Sequence, residues 1–285
     1  MGTRTKISAE EIVEKISHLC MDVNFQVSDD VLDALKNSRE AEASSVAKEV
    51  FADLLENAKI ARECQMPICQ DTGVAVVFVE LGEDVEITGG RLYDAIHNGV
   101  RRGYKEGYLR KSMVANPLKR VNTGDNTPAI IHTELIPGNY IRITFMAKGG
   151  GCENMSRIAM LTPADGREGV INFVVETVRI AKANPCPPII VGVGIGGTFD
   201  YAALLAKKSL LRPLGIGHRD PDTDCLEKEM LERVNNLGIG AQGLGGSVTA
   251  LGVHVEWSPC HIASLPVAVN IECHAHRVKT VVLGI

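Results

Sequence analysis

The sequence predicts a mixed α/β fold: a helical N-terminal segment, residues 1 to about 64, followed by two sheet-and-helix lobes. Three observations predict it. Apolar residues recur at helical spacing through the first third of the chain. From Val74 onward, short Val/Ile-rich runs alternate with helical patterns. The chain has 285 residues, 45% hydrophobic and 23% charged, enough for one large domain or two lobes with substantial cores. It reads as a single domain over 1–285, with its core running from about residue 65 to 285.

Each element has its own signal. Ser8 and Glu11 form a capping-box pattern ahead of Ile12, Val13, Ile16 and Leu19. Val31, Leu32 and Leu35 mark a second helix. Val46, Val50, Leu54 and Leu55 mark a third that ends near Cys64, and all three apolar stripes are expected to be core. Val74 to Val79 reads as a strand and Arg91 to Lys105 as a helix. Strand character returns over Ala129 to Leu135 and in the alternation of Ile141, Ile143 and Phe145. Gly138 and Asn139 between these runs suit a hairpin. Val170 to Ile180 is helical, Ile189 to Val193 a buried strand, Tyr201 to Leu210 a helix, and Leu226 to Leu237 another. The last strands are Ala250 to Trp257 and Val267 to Cys273, and the chain ends soon after.

Composition narrows the function. The net charge of -5, with no basic block, gives nucleic-acid or membrane-surface binding no support. A small anionic substrate would need local Arg, Lys or helix N-termini. No apolar run reaches about 18 residues, so no membrane-spanning helix is expected. The start, Met1 to Lys6, lacks an apolar signal core, and Lys6 breaks the myristoylation pattern. The cytoplasm is the default. The eight cysteines are scattered without a C-x-x-C pair, as free thiols or metal ligands in a reducing compartment.

Gly192-Val193-Gly194-Ile195-Gly196-Gly197 follows a strand and precedes a helix, as a dinucleotide fingerprint does. The next segment, Arg212 to Gly217, is not the second strand that a βαβ unit requires. A tight strand-to-helix turn accounts for the glycines better.

Ile68-Cys69-Gln70-Asp71-Thr72-Gly73 sets a thiol against an amide, a carboxylate and a flexible turn. A thiolate can hold a metal, and its neighbours can hold what binds that metal. The segment also reads as a polar turn with a packed cysteine. Further along come Val121-Asn122-Thr123-Gly124, Lys148-Gly149-Gly150-Gly151, Cys186-Pro187-Pro188 and Leu237-Gly238-Ile239-Gly240-Ala241-Gln242. In this order, over roughly Cys64 to Arg277, they resemble the class I, iron–sulfur, fumarate hydratases.

The resemblance implies a [4Fe-4S] cluster held by Cys69, Cys186 and Cys273, the last within Glu272-Cys273-His274. Three ligands leave one iron open as a Lewis acid, whereas four would suit electron transfer. Cys152 follows the glycine triplet, and Cys64 and Cys260 lie near site segments, but none occupies a ligand position of the family. Cys20 and Cys225 sit on predicted helices as packing residues. By the same motifs Gln70 and Asp71 contact substrate and serve catalysis, with Asp71 assisting proton transfer. Arg110 pairs with a carboxylate, Gly151 offers its backbone N–H, and His261 binds substrate. His274 and His276 have a weaker claim, and Lys148 gives electrostatic or structural support.

The implied reaction is reversible hydration of fumarate to L-malate, a step of the tricarboxylic acid cycle. The chain shows no complete catalytic base. Fused members of the family continue into a second domain, so the resemblance implies an α subunit completed by a β subunit, as α2β2, acting on a small dicarboxylate. L-tartrate dehydratase α subunits share the architecture, but the stretch from Lys148 to Asn154 resembles the fumarase branch. A redox- or iron-sensing cluster protein is the alternative of another class, and Gln70, Asp71 and Arg110 argue against it.

Overall fold

The computed structural model describes residues 4–284. The reading of Met1 to Thr3 as lacking a leader lies outside them. In chain order the elements are β1 (Thr5–Ser8), α1 (Ala9–Phe25), α2 (Asp29–Ala41), α3 (Ser45–Cys64), β2 (Val74–Gly82), β3 (Val85–Thr88), α4 (Leu92–Glu106), β4 (Ile130–Ile136), β5 (Ile141–Lys148) and α5 (Gly150–Glu153). There follow β6 (Arg157–Leu161), α6 (Gly166–Ala181), β7 (Ile189–Gly196), α7 (Phe199–Ser209), α8 (Pro221–Asn235), β8 (Ala250–Ser258), β9 (Leu265–Glu272) and β10 (Val278–Leu283). No helix among the described residues is long and apolar enough to cross a membrane. The chain forms two compact units, each with a sheet and its helices, so the predicted mixed α/β class holds.

The first unit comprises the residues up to Val27, Ala58–Gly150 and those from Arg277 on. Its main sheet has the order β10-β5-β2-β4. Ser8 caps α1 by accepting the Glu11 N–H at 3.0 Å, as the capping pattern predicts. Ile12, Ile16 and Leu19 of α1 pack with Ala95, Ile96 and Val100 of α4 on Ile141, Ile143 and Phe145 of β5. The two helices approach closely because α4 presents glycines: a Cβ on Gly99 would lie 2.5 Å from Ile16 Cβ.

The expected hairpin between β4 and β5 does not form. β2 lies between them, parallel to β4 and antiparallel to β5. The reason is burial: Ala75 through Val79 are buried without a break, so β2 is an interior strand that needs a neighbour on each side. The turn after β4 instead crosses the end of β2, where Gly82 donates to the Tyr140 carbonyl at 3.0 Å. After the last predicted strand the chain adds β10, which pairs antiparallel with β5.

The second unit comprises Ser28–Asn57 and Gly151–His276. Its sheet, β6-β9-β7-β8, is sandwiched by helices. Val191, Val193, Val267, Val269 and Ile271 face α6 and α8. On the other face, Ala268 meets Ala202 and Ala206 of α7. Here the glycine-rich run finds its use. A Cβ on Gly192 would lie 2.2 Å from the Ala206 carbonyl oxygen, and one on Gly194 would lie 2.1 Å from that of Ala202. The glycines let α7 lie on β7. The parallel partner of β7 is β8, reached only after both α7 and α8.

The predicted core stripe of α3 is corrected. Val46 is 50% exposed, while Ala47, Phe51, Ala58 and Ala61 are buried. The buried face thus runs through Ala47, Phe51, Ala58 and Ala61, and Val50, Leu54 and Leu55 are half-buried beside it.

Candidate functional site

In the first unit the segment from Ile68 to Gly73 is braced on every side. Ile68 donates its N–H to the Asn24 carbonyl at 2.9 Å. Buried Tyr104 donates its hydroxyl to the carbonyls of Thr72 (2.7 Å) and Gly73 (3.0 Å), and burial pushes its phenol pKa up. Arg277 is buried and donates to the Asp71 carbonyl and to Asn24 Oδ1. Asn126, also buried, donates to the Gly73 carbonyl at 3.2 Å while its oxygen accepts from the N–H groups of Ser112 (2.7 Å) and Met113 (3.2 Å). Gly73 itself has φ of 75°, and a Cβ there would lie 2.7 Å from Ala147 backbone.

These braces fix what the loop presents. The Asp71 N–H donates to the Cys69 sulfur at 3.4 Å. The Gln70 amide oxygen lies 3.5 Å from the same sulfur. The Asp71 carboxylate accepts the Gly73 N–H at 3.0 Å with one oxygen and the Gly150 N–H at 2.7 Å with the other. Asp71 therefore latches the glycine triplet to the cysteine loop. Thr72 Oγ1 donates to the Arg110 carbonyl at 2.9 Å, which ties Arg110 to the loop. The exposed Arg110 guanidinium forms no ion pair with another described residue. Thus Cys69, Gln70, Asp71 and Arg110 stand together in this unit. Val121 to Gly124 folds back on the irregular segment after Arg110: Asn122 donates to the Lys111 carbonyl at 2.7 Å. Asp125 closes that loop. Burial raises its pKa, but hydrogen bonds from Thr127 and Arg101 outweigh burial and hold it at about 2.

In the second unit Cys186 and Cys273 stand at the same end of the sheet, Cys186 shortly before β7 and Cys273 just after β9, where Ile190 pairs with Glu272. Cys186 has φ of 55°, a left-handed conformation that is costly for a non-glycine residue and unusual before proline. Its carbonyl lies 3.0 Å from His274 Nδ1. Gln242 donates its backbone N–H (2.7 Å) and its side chain (2.8 Å) to the Pro187 carbonyl. Three motifs thus meet here: Cys186-Pro187-Pro188, the glycine-rich segment to Gln242, and Cys273-His274. The Gly246 to Val248 turn that follows is held by buried Glu42, which accepts the Ser247 N–H at 2.8 Å.

Each of the three predicted ligands carries the donor chemistry of a soft metal: none is in a disulfide, and Cys69 has an N–H aimed at its sulfur. Cys69 belongs to the first unit and the other two to the second. Gly151 is exposed at the start of α5.

His261 is not brought to Cys186 and Cys273. It precedes β9 while Cys273 follows it, and that strand, Leu265–Glu272, spans roughly 23 Å at the usual rise. His261 instead lines a cavity of about 430 Å³ with Arg167, Val170, Ile195, Leu226 and Ile262. Cys152 shows the reverse. It holds no ligand position in the motif pattern, yet it is buried beside Glu272 and Cys273. The sequence does not single out Asn126 or Tyr104, and it offers Gln242 only as the end of a glycine-rich motif.

The family model described as Fumarate hydratase (Fumerase) matches residues 13–282. A putative L(+)-tartrate dehydratase subunit alpha from Methanocaldococcus jannaschii is 44% identical, the match covering 94% of this chain and 95% of the relative. The L(+)-tartrate dehydratase subunit alpha of Escherichia coli K12 is 35% identical, covering 97% and 92%.

Proposed function

Since the chain belongs to the fumarate hydratase (Fumerase) family, we propose that it is the α subunit of an iron–sulfur hydro-lyase acting on a four-carbon dicarboxylate, with fumarate and L-malate as the substrate pair. The observation that carries this reading is the tie between Thr72 and Arg110. It anchors the backbone of Arg110, whose exposed side chain forms no ion pair among the described residues, to the braced loop that bears Cys69 and Gln70. A planar guanidinium takes a carboxylate with two parallel hydrogen bonds.

Cys69, Cys186 and Cys273 are the proposed ligands of a [4Fe-4S] cluster. When bound, that cluster supplies a Lewis-acidic iron for the hydroxyl-bearing end of the substrate. The remaining work falls to side chains. Arg110 binds a carboxylate. The Gln70 amide, exposed beside the Cys69 sulfur, orients the substrate's polar groups. Asp71 positions the loop through both its oxygens and stands next to Gln70 for proton transfer. Gly151 offers its N–H. A partner subunit supplies the base, in keeping with relatives named as alpha subunits. Free thiols throughout suit a reducing cytoplasm.

The names of the relatives favour a second reading, dehydration of L(+)-tartrate. One experiment separates the two. The chain is loaded with iron and sulfide without oxygen, combined with its β subunit and assayed with fumarate and with L(+)-tartrate. Malate formation only in the combined sample supports the first reading. Turnover of tartrate alone moves the substrate, and a fully loaded complex inactive on both overturns the reading.

A further inference from the structure

One thiol pair and a carboxylate in the second unit form a group of which the proposed function uses only Cys273. The Cys152 sulfur lies 3.4 Å from Glu272 Oε1, and the Cys273 sulfur lies 3.8 Å from the same oxygen. One donor atom from each of the three residues falls within 4.8 Å of the others. Cys152 is 3% exposed and Glu272 is 0% exposed, while Cys273 is partly open to solvent.

This spacing is close to that of ligands around one metal. With metal–sulfur bonds of about 2.3 Å and metal–oxygen bonds of about 2.0 Å, a tetrahedral site has sulfur–oxygen edges of about 3.5 Å. Two thiolates and a carboxylate suit Zn²⁺, Fe²⁺ or Co²⁺ and leave the fourth position to water. Secondary structure fixes the donors: Cys152 lies in α5, Glu272 ends β9, and Cys273 follows it. The Cys273 N–H, 3.4 Å from Glu272 Oε1, orients the carboxylate. The open side at Cys273 is the way in.

We propose that Cys152, Glu272 and Cys273 form a mononuclear site for a thiophilic divalent cation, filled when no cluster occupies Cys273. On loading, both thiols give up their protons to solvent, and the metal gains two thiolate bonds and one carboxylate bond. The site shares Cys273 with the proposed cluster, so the two states exclude each other. A chain that has taken up zinc or ferrous ion here must release it before the cluster can assemble. The proposal thus rests on the cluster reading for its consequence but not for its chemistry.

The test uses the full chain carrying Cys69→Ser and Cys186→Ser, which removes two of the three cluster ligands and leaves this group intact. Co²⁺ is titrated in without oxygen and with the thiols reduced. The expected result is about one Co²⁺ per chain, with thiolate-to-cobalt charge-transfer absorption and the intense visible bands of a four-coordinate ion, both abolished by Zn²⁺. Adding Cys152→Ser is expected to weaken Co²⁺ binding roughly a hundredfold, at or beyond the cost of losing an outer-shell partner, and to halve the charge-transfer intensity. Cys64→Ser, on an exposed thiol, is expected to change neither.

X-ray absorption of the Zn²⁺-loaded double variant, expected to show two sulfur neighbours, decides the matter even if Cys152→Ser does not fold. No charge transfer in the folded double variant, or fewer than two sulfurs, overturns the proposal. Unchanged affinity in folded Cys152→Ser does the same. Cobalt binding by the double variant, with no cluster forming on the unaltered chain, would keep this site and overturn the cluster reading.

Discussion

The cysteine loop of the first unit and the cysteine pair of the second are held by opposite means. Around Cys69 the backbone is braced by buried side chains: Asn24, Tyr104, Asn126 and Arg277 all bond to residues 68–73 or to one another. Around Cys186 and Cys273 the sheet does the positioning, through the register of β7 against β9, and side chains such as Gln242, His274 and Glu272 add contacts to it. A loop braced by polar groups fails when a single partner is removed, because the orphaned groups stay buried. A loop set by strand register tolerates such a loss better. The two regions should therefore respond differently to the same kind of perturbation.

The largest expected effect removes a ligand and ignores the difference in support. Cys69→Ser in the reconstituted complex should cut kcat/KM about a thousandfold, the several kcal/mol that a Lewis-acidic metal contributes. Its melting temperature without cluster should stay near that of the unaltered chain. Activity within tenfold of the parent would remove Cys69 from the ligand set. Next comes the sharpest break of the comparison. Asn126→Ala strands the N–H groups of Ser112 and Met113, which should cost about 4 kcal/mol in urea unfolding. Gln242→Ala in the second unit should cost less than half of that. Equal losses would show that the second cysteine region is braced as the first is.

Much of this contrast was hidden from the sequence, for physical reasons. Strands and helices with clean periodicity were legible, from the Ser8 cap to the run at Ile189. The motifs also hold Gln70 and Asp71, which lie beside Cys69, and His274, which lies beside Cys186, but not Tyr104, Asn126 or Cys152. The sheet order was not legible, because uninterrupted burial of β2 says that it is central without saying which strands flank it. β10 went unread because Val278 to Leu283 is short and its exposed lysine and threonine break the apolar run. Asn126 was missed because a buried amide looks like a loop residue until its partners are known. Cys152 holds no ligand position in the motif pattern, and its proximity to Cys273 comes from α5 lying beside the end of β9. His261 illustrates the converse: twelve residues from Cys273 in sequence, it is carried away by the length of an extended strand.

Acid should separate the units. Burial, with help from Arg212 and His276, lowers the pKa of His254 from 6.5 to about 4. Between those values the unfolded chain takes up a proton that folded His254 refuses. Stability from this residue is therefore complete above about pH 6.5 and is lost as pH falls toward 4, by up to about 3 kcal/mol. In the first unit Asp125, held at about 2, contributes stability that is lost only as pH falls from 3.8 toward that value. At pH 4.5 the second unit should loosen while the first holds. The single tryptophan, Trp257, lies on β8 with His254 and reports the second unit by fluorescence. A Trp257 unfolding midpoint unchanged from pH 7 to 4.5 would rule this out.

A smaller effect tests the guanidinium. Arg110→Lys keeps the charge but loses the fork, so kcat/KM should fall roughly thirtyfold, about 2 kcal/mol, mainly through KM. Because the Arg110 side chain has no ion-pair partner among the described residues, the melting temperature should not move. A drop in stability with unchanged KM would make Arg110 a structural residue.

The smallest effect returns to the first residue whose role was read from sequence. Ser8 accepts the Glu11 N–H at the start of α1, and α1 places Ile12, Ile16 and Asn24 against the rest of the first unit. Ser8→Ala should cost about 1 kcal/mol. If bracing by side chains is what positions Cys69, this loss should lower the stability of the first unit uniformly and leave cluster uptake and its absorption spectrum unchanged, because Asn24 still holds Ile68 and Arg277. If uptake falls in step with stability, then the loop is only as firm as the helix behind it. The contrast between a braced cysteine and a register-set pair would then reduce to a difference in helix stability.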